Sequence, residues 1–590
     1  MGIIVNYLKP YFLRMSGGLS IKFFGTIMDL LLPWILAYLI DEVVPQKSIP
    51  LILLWGGGMI LCALLAVTTN VIANRMASGV ARDAVRTIRH DLFSKISYLS
   101  CSQIDRLTIP SLIARLSSDT YNIHRLVSSM QRIGVRAPIL LLGGILITLT
   151  LEPRLTLVLL ATMPFTVLVI LFVFRKGIPL YSRLQEGVDH LVRVVRENAT
   201  GIRIIKALSR GDYEKRRFAG ANEEVTGREF KANIIMGITN PAMFLLLNWG
   251  LVAVILAGAY RVNAGLTPPG VILAFLTYFT IILNATLSIT RMFVMLSRGS
   301  ASGKRIAEVL ALQEDLKLYS RDHVDSNCHI SFENVSFSYN ENPSGSELLE
   351  GLSFSLKKGE TLGILGETGC GKSTILQLLL RFYDPSSGRI RIDGDDIRGI
   401  PPDELYAKFG ICFQKDVLFA DTVRENVSFG RDLEEKEILR SLGFARAGEF
   451  VNELPGGLDY NLGSRGVNLS GGQRQRLLIA RALSSSAEGR APEILILDDS
   501  SSALDYRTDA ELRRKLREHF TGTTSIIVAQ RISTVMQADH IMVMEQGRIL
   551  GYGTHEELME SCGLYRDIFR SQMGRRPAPE TGRKEAAGAF

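Results

Sequence analysis

Nine consecutive residues, Gly366-Glu367-Thr368-Gly369-Cys370-Gly371-Lys372-Ser373-Thr374, have the types and spacing to hold a nucleotide's phosphates. The glycines let the backbone turn tightly, so N–H groups rather than side chains face the anion. Lys372 would reach the β- and γ-phosphates, and Ser373 would ligate Mg²⁺. Context decides whether such a run is more than a glycine-rich turn. The apolar stretch Thr361–Leu365 precedes it and reads as a strand, while Ile375–Phe382 follows and reads as a helix. That is the setting of a P-loop, in which the helix N-terminus adds a favourable dipole to the phosphate site. The implied cofactors are ATP and Mg²⁺.

A second carboxylate-bearing strand lies downstream. Ile494-Leu-Ile-Leu-Asp498 reads as buried and ends on an acid placed to hold Mg²⁺ through water. Between the two motifs stands Leu469-Ser470-Gly471-Gly472-Gln473, ahead of a basic, helical run to Leu483. Alone, that segment could be any helix cap. Together, the three resemble the ABC ATPase family.

The resemblance implies further roles, motif by motif. Tyr339 in Phe-Ser-Tyr matches the aromatic that stacks on adenine, and Gln414 in Cys-Phe-Gln matches the glutamine that contacts Mg²⁺. Ser470, Gly471, Gly472 and Gln473 match the signature that grips the γ-phosphate of ATP held by the opposite subunit. Asp505 matches the loop running between the two sites. Each site in this family combines one subunit's P-loop with the other's signature, so a chain with one of each must pair.

Two positions depart from the family's pattern. Where a catalytic Glu normally follows the strand's aspartate, this chain has Asp499. The shorter side chain withdraws the carboxylate by about one bond length, ~1.5 Å. A misplacement of about 1 Å can lower a rate on the order of a hundredfold. Where the family's switch histidine stands before Arg, this chain has Gln530, which can donate a hydrogen bond but carries no proton and no charge. Both changes beside an intact P-loop predict a site that binds ATP and hydrolyses it slowly. The signature is intact and would complete a partner's site. The expected assembly is therefore a heterodimer whose other half supplies Glu and His, as in the heterodimeric bacterial multidrug exporters that this pattern resembles. Ser464, where exporters usually carry an acid, is a smaller departure.

These motifs occupy only the second half of a 590-residue chain, which is too long for one core. The chain is 47% hydrophobic with a formal charge of +8, and nearly all the long apolar runs fall within residues 1–300. A helix needs about 20 apolar residues to cross a bilayer. Leu51–Asn74, Leu155–Phe174, Ala232–Tyr260 and Val262–Thr290 meet that length without a charge; Phe23–Ile40 is broken only by Asp29, and Ile133–Leu151 only by Arg136. Six spans follow, at about 19–40, 51–74, 133–152, 155–175, 234–260 and 270–297. The short connections 41–50, 152–154 and 261–269 carry one Lys or Arg each, whereas 74–132 and 176–233 carry 9 and 12. That asymmetry puts the long segments in the cytosol and accounts for the basic balance without nucleic acid. As helices running out and back, each would project roughly 35–40 Å, with tips near Pro110–Asp119 and Gly211–Phe218.

The fold class expected is an all-α six-helix transmembrane domain (1–315) with long cytoplasmic hairpins, a linker (316–327) and an α/β P-loop ATPase domain with a helical subdomain (328–573). A disordered tail (574–590) would follow. The membrane half resembles the type IV ABC exporters. Asp29 and Arg291 are candidates for a substrate path, on which they would face each other; the alternative is a neighbouring hydroxyl for Asp29 and snorkelling for Arg291. Pro33, Pro164 and Pro241 read as kinks. The six cysteines show no paired spacing, and the first residues lack a cleavable signal pattern. The function expected is ATP-driven export of amphiphilic small molecules across the cytoplasmic membrane of a bacterium. Peptide or lipid export and a regulatory ATP-sensing subunit are the alternatives. Six spans exclude a soluble ATPase.

Overall fold

Long apolar stretches without breakers form helices that outrun the bilayer. In a computed structural model that describes residues 2–339, 348–484, 491–500 and 503–574, six helical segments are long and apolar enough to cross a membrane. The second, Ile49–Ser97, has 49 residues and the fourth, Pro153–Ala207, has 55. At 1.5 Å per residue the fourth extends about 80 Å, far beyond a hydrocarbon core of about 30 Å. The hairpins expected from charge and composition are thus continuations of the spans themselves. Pro33 and Pro164 lie inside helices, whereas Pro241 sits in the first turn of the helix Thr239–Asn263, where a proline does not interrupt hydrogen bonding and is not a kink. The tail from 575 onward lies outside the described residues.

The chain divides into two units: Met1–Tyr98 with Leu107–Leu312, and Leu99–Arg106 with the chain from Gln313 onward. In the membrane unit, small residues let spans approach closely. A Cβ on Gly144 would come within 2.8 Å of Ile282, so the third and sixth spans meet where the side chain is missing. The fully buried Tyr278 spends its hydroxyl on the Leu30 carbonyl of the first span. Asp41 caps the sixth span, accepting from the backbone N–H groups of Gly270 at 2.6 Å and Val271 at 3.0 Å. A carboxylate at a helix N-terminus is favoured by the free N–H groups and the dipole.

The cytoplasmic tips differ from expectation. Pro110 sits in the first turn of the returning helix Ile109–Ala114, because a proline's missing N–H is harmless there. The stretch beyond it packs inside the membrane unit, where buried Asp119 accepts from Ser302 and Arg305 of the sixth span. The hairpin residues that belong to the nucleotide-binding unit are Leu99–Arg106. There Gln103 donates to the Gln313 carbonyl at 2.7 Å, and the Tyr383 hydroxyl donates to Asp105 at 2.5 Å. The second hairpin turns at Leu208–Arg210, with Ser209 left-handed at φ 50°, so Gly211–Phe218 are the first turns of the return helix.

Among the described residues the nucleotide-binding unit carries ten strands: β1 (Ile330–Phe337), β2 (Leu349–Leu356), β3 (Thr361–Gly366), β4 (Ser387–Ile392), β5 (Asp395–Asp396), β6 (Phe409–Cys412), β7 (Ile494–Asp498), β8 (Thr524–Val528), β9 (His540–Glu545) and β10 (Arg548–Gly553). One sheet runs β2-β1-β4-β5 and is antiparallel; the other runs β10-β9-β3-β8-β7-β6 and is parallel from β9 to β6. Every residue of β7 is buried, as a central parallel strand demands. A separate apolar core, built on Val427, Leu442, Leu477 and Leu495, underlies the helices between Val423 and Leu483.

Candidate nucleotide-binding site

Parallel strands bring their carboxyl ends to one edge, and ligands of open α/β sheets bind there. Gly366 ends β3, Val528 ends β8 and Asp498 ends β7, in that spatial order, with Asp498 paired to Val528. Gln414 lies just beyond β6, the next strand over. A cavity of ≈ 220 Å³ opens at this edge, lined by Thr368, Gly369 and Gly371 to Thr374 of the P-loop together with Gln414, Asp498, Asp499 and Gln530. Motifs separated by more than 150 residues of sequence thus share one small space.

The loop's backbone explains its glycines. Gly371 has φ 101°, and a Cβ there would fall 2.4 Å from Leu349. Gly369 is also left-handed, at φ 91°, but a Cβ on it would meet nothing within 4 Å, since that side faces the open cradle. Lys372, the first residue of the helix Lys372–Leu379, donates to the carbonyls of Gly366 at 2.8 Å and Glu367 at 2.6 Å. Its ammonium therefore lies across the mouth of the loop.

The residues that would hold Mg²⁺ fit that ion. Ser373 Oγ and Asp498 Oδ2 are hydrogen-bonded at 3.0 Å, and both are hard oxygen donors. Burial pushes the Asp498 carboxyl above its usual range, with Asp499 adding to the rise and Ser373 and Lys372 opposing it. A carboxylate destabilised in this way is poised for a cation.

Asp499 is the centre of a different network. Its Oδ2 accepts from Gln414 Nε2 at 3.3 Å and from Gln530 Nε2 at 3.0 Å. Burial raises its proton affinity, while the Gln414 hydrogen bond and the charges of Lys372 and Arg531 pull the other way. Asp499 and Gln530, 31 positions apart in sequence, are thus in direct contact.

Tyr339 stands beside the helix that follows the loop, its hydroxyl on Thr374 and Gln377, with the ring 47% exposed. The signature lies elsewhere on the unit. Ser470 caps the helix Gly471–Leu483, accepting from the Gln473 backbone, while the Gln473 side chain accepts from the Ser470 backbone. Neither residue lines the cavity. Asp505 caps Tyr506–His519 through Thr508.

One residue escaped sequence reasoning. Gln475, in the signature helix, donates to the Asp499 carbonyl at 3.3 Å and accepts from the Ala503 N–H at 2.9 Å. In sequence it is one polar residue of a basic helix, and nothing local distinguishes it.

The membrane candidates separate. Asp29 takes its cation from Arg136, at 3.0 Å, and accepts more weakly from Asn70 at 3.4 Å. Arg291 is exposed and is not Asp29's partner.

Comparison with known proteins agrees with this architecture. Residues 15–286 match the ABC transporter transmembrane region, and residues 349–502 match the ABC transporter family model. The uncharacterized ABC transporter ATP-binding protein YfiB of Bacillus subtilis (strain 168) is 36% identical over 97% of this chain and 98% of its own. The ATP-dependent lipid A-core flippase of Syntrophus aciditrophicus (strain SB) is 30% identical over 87% of this chain and 84% of its own. A bacterial Atm1-family ABC exporter with ATP bound has a similar structure, with a TM-score of 0.80 and 25% identity over 96% of this chain and 99% of that one. With six membrane-crossing helices joined to an ATPase domain and relatives matching over nearly its whole length, the chain belongs to the ABC transporters and has the exporter fold.

Proposed function

We propose that this chain is one half of a heterodimeric exporter of amphiphilic small molecules, in a bacterial cytoplasmic membrane. In this reading it holds ATP at Lys372 and hydrolyses it slowly. The observation that carries the reading is the occupied carboxylate of Asp499. Two neutral amides, from Gln414 and Gln530, donate to the group that would have to accept a proton from the attacking water. Donors engaged in this way oppose the rise in proton affinity that burial gives and occupy the oxygen a water would approach, and Gln530 has no proton to relay.

Turnover then falls to the composite site made by this chain's Ser470 and Gln473 with the Walker residues of a partner that carries Glu and His. ATP at both sites closes the pair, the long helices transmit that closure, and the membrane half turns outward; hydrolysis at the partner's site resets it. When bound, Mg²⁺ offsets charge on the phosphates. This chain's Ser373, Asp498 and Gln414 would orient it, while Lys372 and the loop N–H groups hold the phosphates.

Purification of the chain alone and with a half-exporter bearing Glu and His tests this. The pair is expected to hydrolyse ATP at least about tenfold faster, the order of one misplaced catalytic group. Equal rates would remove the heterodimer reading. Lipid export is the second reading, favoured by the similarity to a protein named as a lipid A-core flippase.

A further inference from the structure

The membrane unit contains a cavity of ≈ 870 Å³ with an unbalanced charge. Lys22, Arg132 and Arg136 line it, against a wall that includes Leu140, Leu251 and Leu276. The first, third, fifth and sixth spans all contribute. Asp29 neutralises one of the three cations by pairing with Arg136 at 3.0 Å. Lys22 is only 3% exposed, and its ammonium donates to the neutral Asn74 Oδ1 at 3.0 Å. It stands within electrostatic reach of Arg136 and Arg132, with Asp29 acting in the opposite sense. Among the described residues Arg132 has no ion-pair partner.

A second cavity, ≈ 640 Å³, shares Asn74 with the first and adds Arg14, Arg75 and Arg82. There Asp83 takes both Arg14 and Arg82, each at 2.9 Å. Across the two spaces six Lys and Arg residues meet two Asp, a net excess of four positive charges; five of the six are exposed to solvent and Lys22 is the buried one. A cation buried within a membrane-spanning bundle, as Lys22 is, is unfavourable without a counter-charge, and such groups mark pathways. Mutual repulsion between Lys22, Arg132 and Arg136 is relieved by an anion placed among them. The leucine wall alongside suits a hydrocarbon chain.

We propose that this cavity receives amphiphiles with an anionic head group (phosphate, sulfonate or carboxylate), and that Lys22 and Arg132 supply the donors for it. The inference rests on the exporter reading and narrows its substrate to one charge class. Amphiphilic cations meet four like charges on the same route and are rejected.

The test uses the full chain in nanodiscs of zwitterionic phosphatidylcholine, with probes of equal chain length. Octyl phosphate is expected to bind at least about tenfold more tightly than octyltrimethylammonium, as one charge-assisted contact would give. Lys22→Gln combined with Arg132→Gln should abolish that preference while ATP binding at Lys372 is unchanged. Lys22→Arg with Arg132→Lys should keep it. If the charge-removing variant fails to fold, the two probes on the unaltered chain decide the matter. Displacement of octyl phosphate by millimolar inorganic phosphate would support a soluble organic anion, and failure to displace it would support a lipid-like amphiphile. Equal affinity for the two octyl probes, or preference for the ammonium, overturns the proposal. ATP-driven transport that persists with ammonium preferred would sink this inference alone. Loss of transport with the anion preference intact would sink the exporter reading instead.

Discussion

Gln530 donates its side-chain amide to the Asp499 carboxylate across 3.0 Å, joining the two residues at which the site departs from its family. Gln530 can anchor the acid but has no proton to relay. The anchored group is also the shorter acid. The two substitutions therefore form one physical unit, and their effects should be tested together.

Reversing both is expected to restore hydrolysis in a way that neither change does alone. Asp499→Glu by itself lengthens the carboxylate but leaves Gln530 hydrogen-bonded to the acid. Gln530→His by itself leaves the acid too short. The double variant should raise turnover at this chain's own site by more than the product of the single effects, since contacting residues are not additive. Single-turnover ATP hydrolysis measures it; a purely multiplicative result counts against the coupling.

Ser470→Ala should affect a different site from its own. In a reconstituted pair we expect at least about a tenfold loss of ATPase, because a positioned donor at the γ-phosphate acts in the transition state. Lys372→Ala should weaken binding of a fluorescent ATP analogue to this chain by roughly 10- to 100-fold, the loss of one or two charge-assisted hydrogen bonds. It should change pair turnover less than Ser470→Ala does. The reverse ranking would place hydrolysis at Lys372.

The raised proton affinity of Asp498 has a definite sign. Its folded pKa lies above the ordinary value of 3.8, so over the interval between them the folded chain binds more protons than the unfolded one. Stability contributed by this group therefore falls as pH rises through that interval, and at neutral pH the ionised, buried acid is a burden. Asp498→Asn should raise the unfolding temperature of the ATP-free protein at pH 7 while abolishing the further rise that Mg²⁺-ATP produces in the parent. Scanning fluorimetry with and without Mg²⁺ reads both.

Asp119→Ala should destabilise the membrane unit. Asp119 is 4% exposed and accepts from both Ser302 and Arg305. Its removal leaves the Ser302 hydroxyl without its acceptor and the half-exposed Arg305 guanidinium to water and Glu308, a loss of about 1 kcal/mol. Thermal inactivation in detergent should therefore accelerate, and Asp119→Asn should recover part of the loss.

Local chemistry was the legible part. The strand, glycine loop and helix around Lys372 follow from short-range periodicity and backbone freedom, so Thr361–Gly366 and Lys372–Leu379 lie where the residues imply. The six spans follow from length and apolar content alone. What needed three dimensions was pairing. Asp29 and Arg136 stand 107 positions apart, and nothing in either segment selects the other over Arg291. Pro110 marks a break, but sequence does not say whether a break ends one helix or begins the next. The part of the first hairpin that joins the nucleotide-binding unit is fixed by Tyr383 and Gln313, both more than 200 residues downstream.

Gln475 grips the backbone of Asp499 with one end and that of Ala503 with the other, from a helix whose first turn is the signature. On the heterodimer proposal, a slow site joined in this way to the element lent to a partner would behave like a clutch plate. With ATP held at Lys372 the neighbouring helix would stay braced, and the partner's site would be presented with the same rigid surface turn after turn.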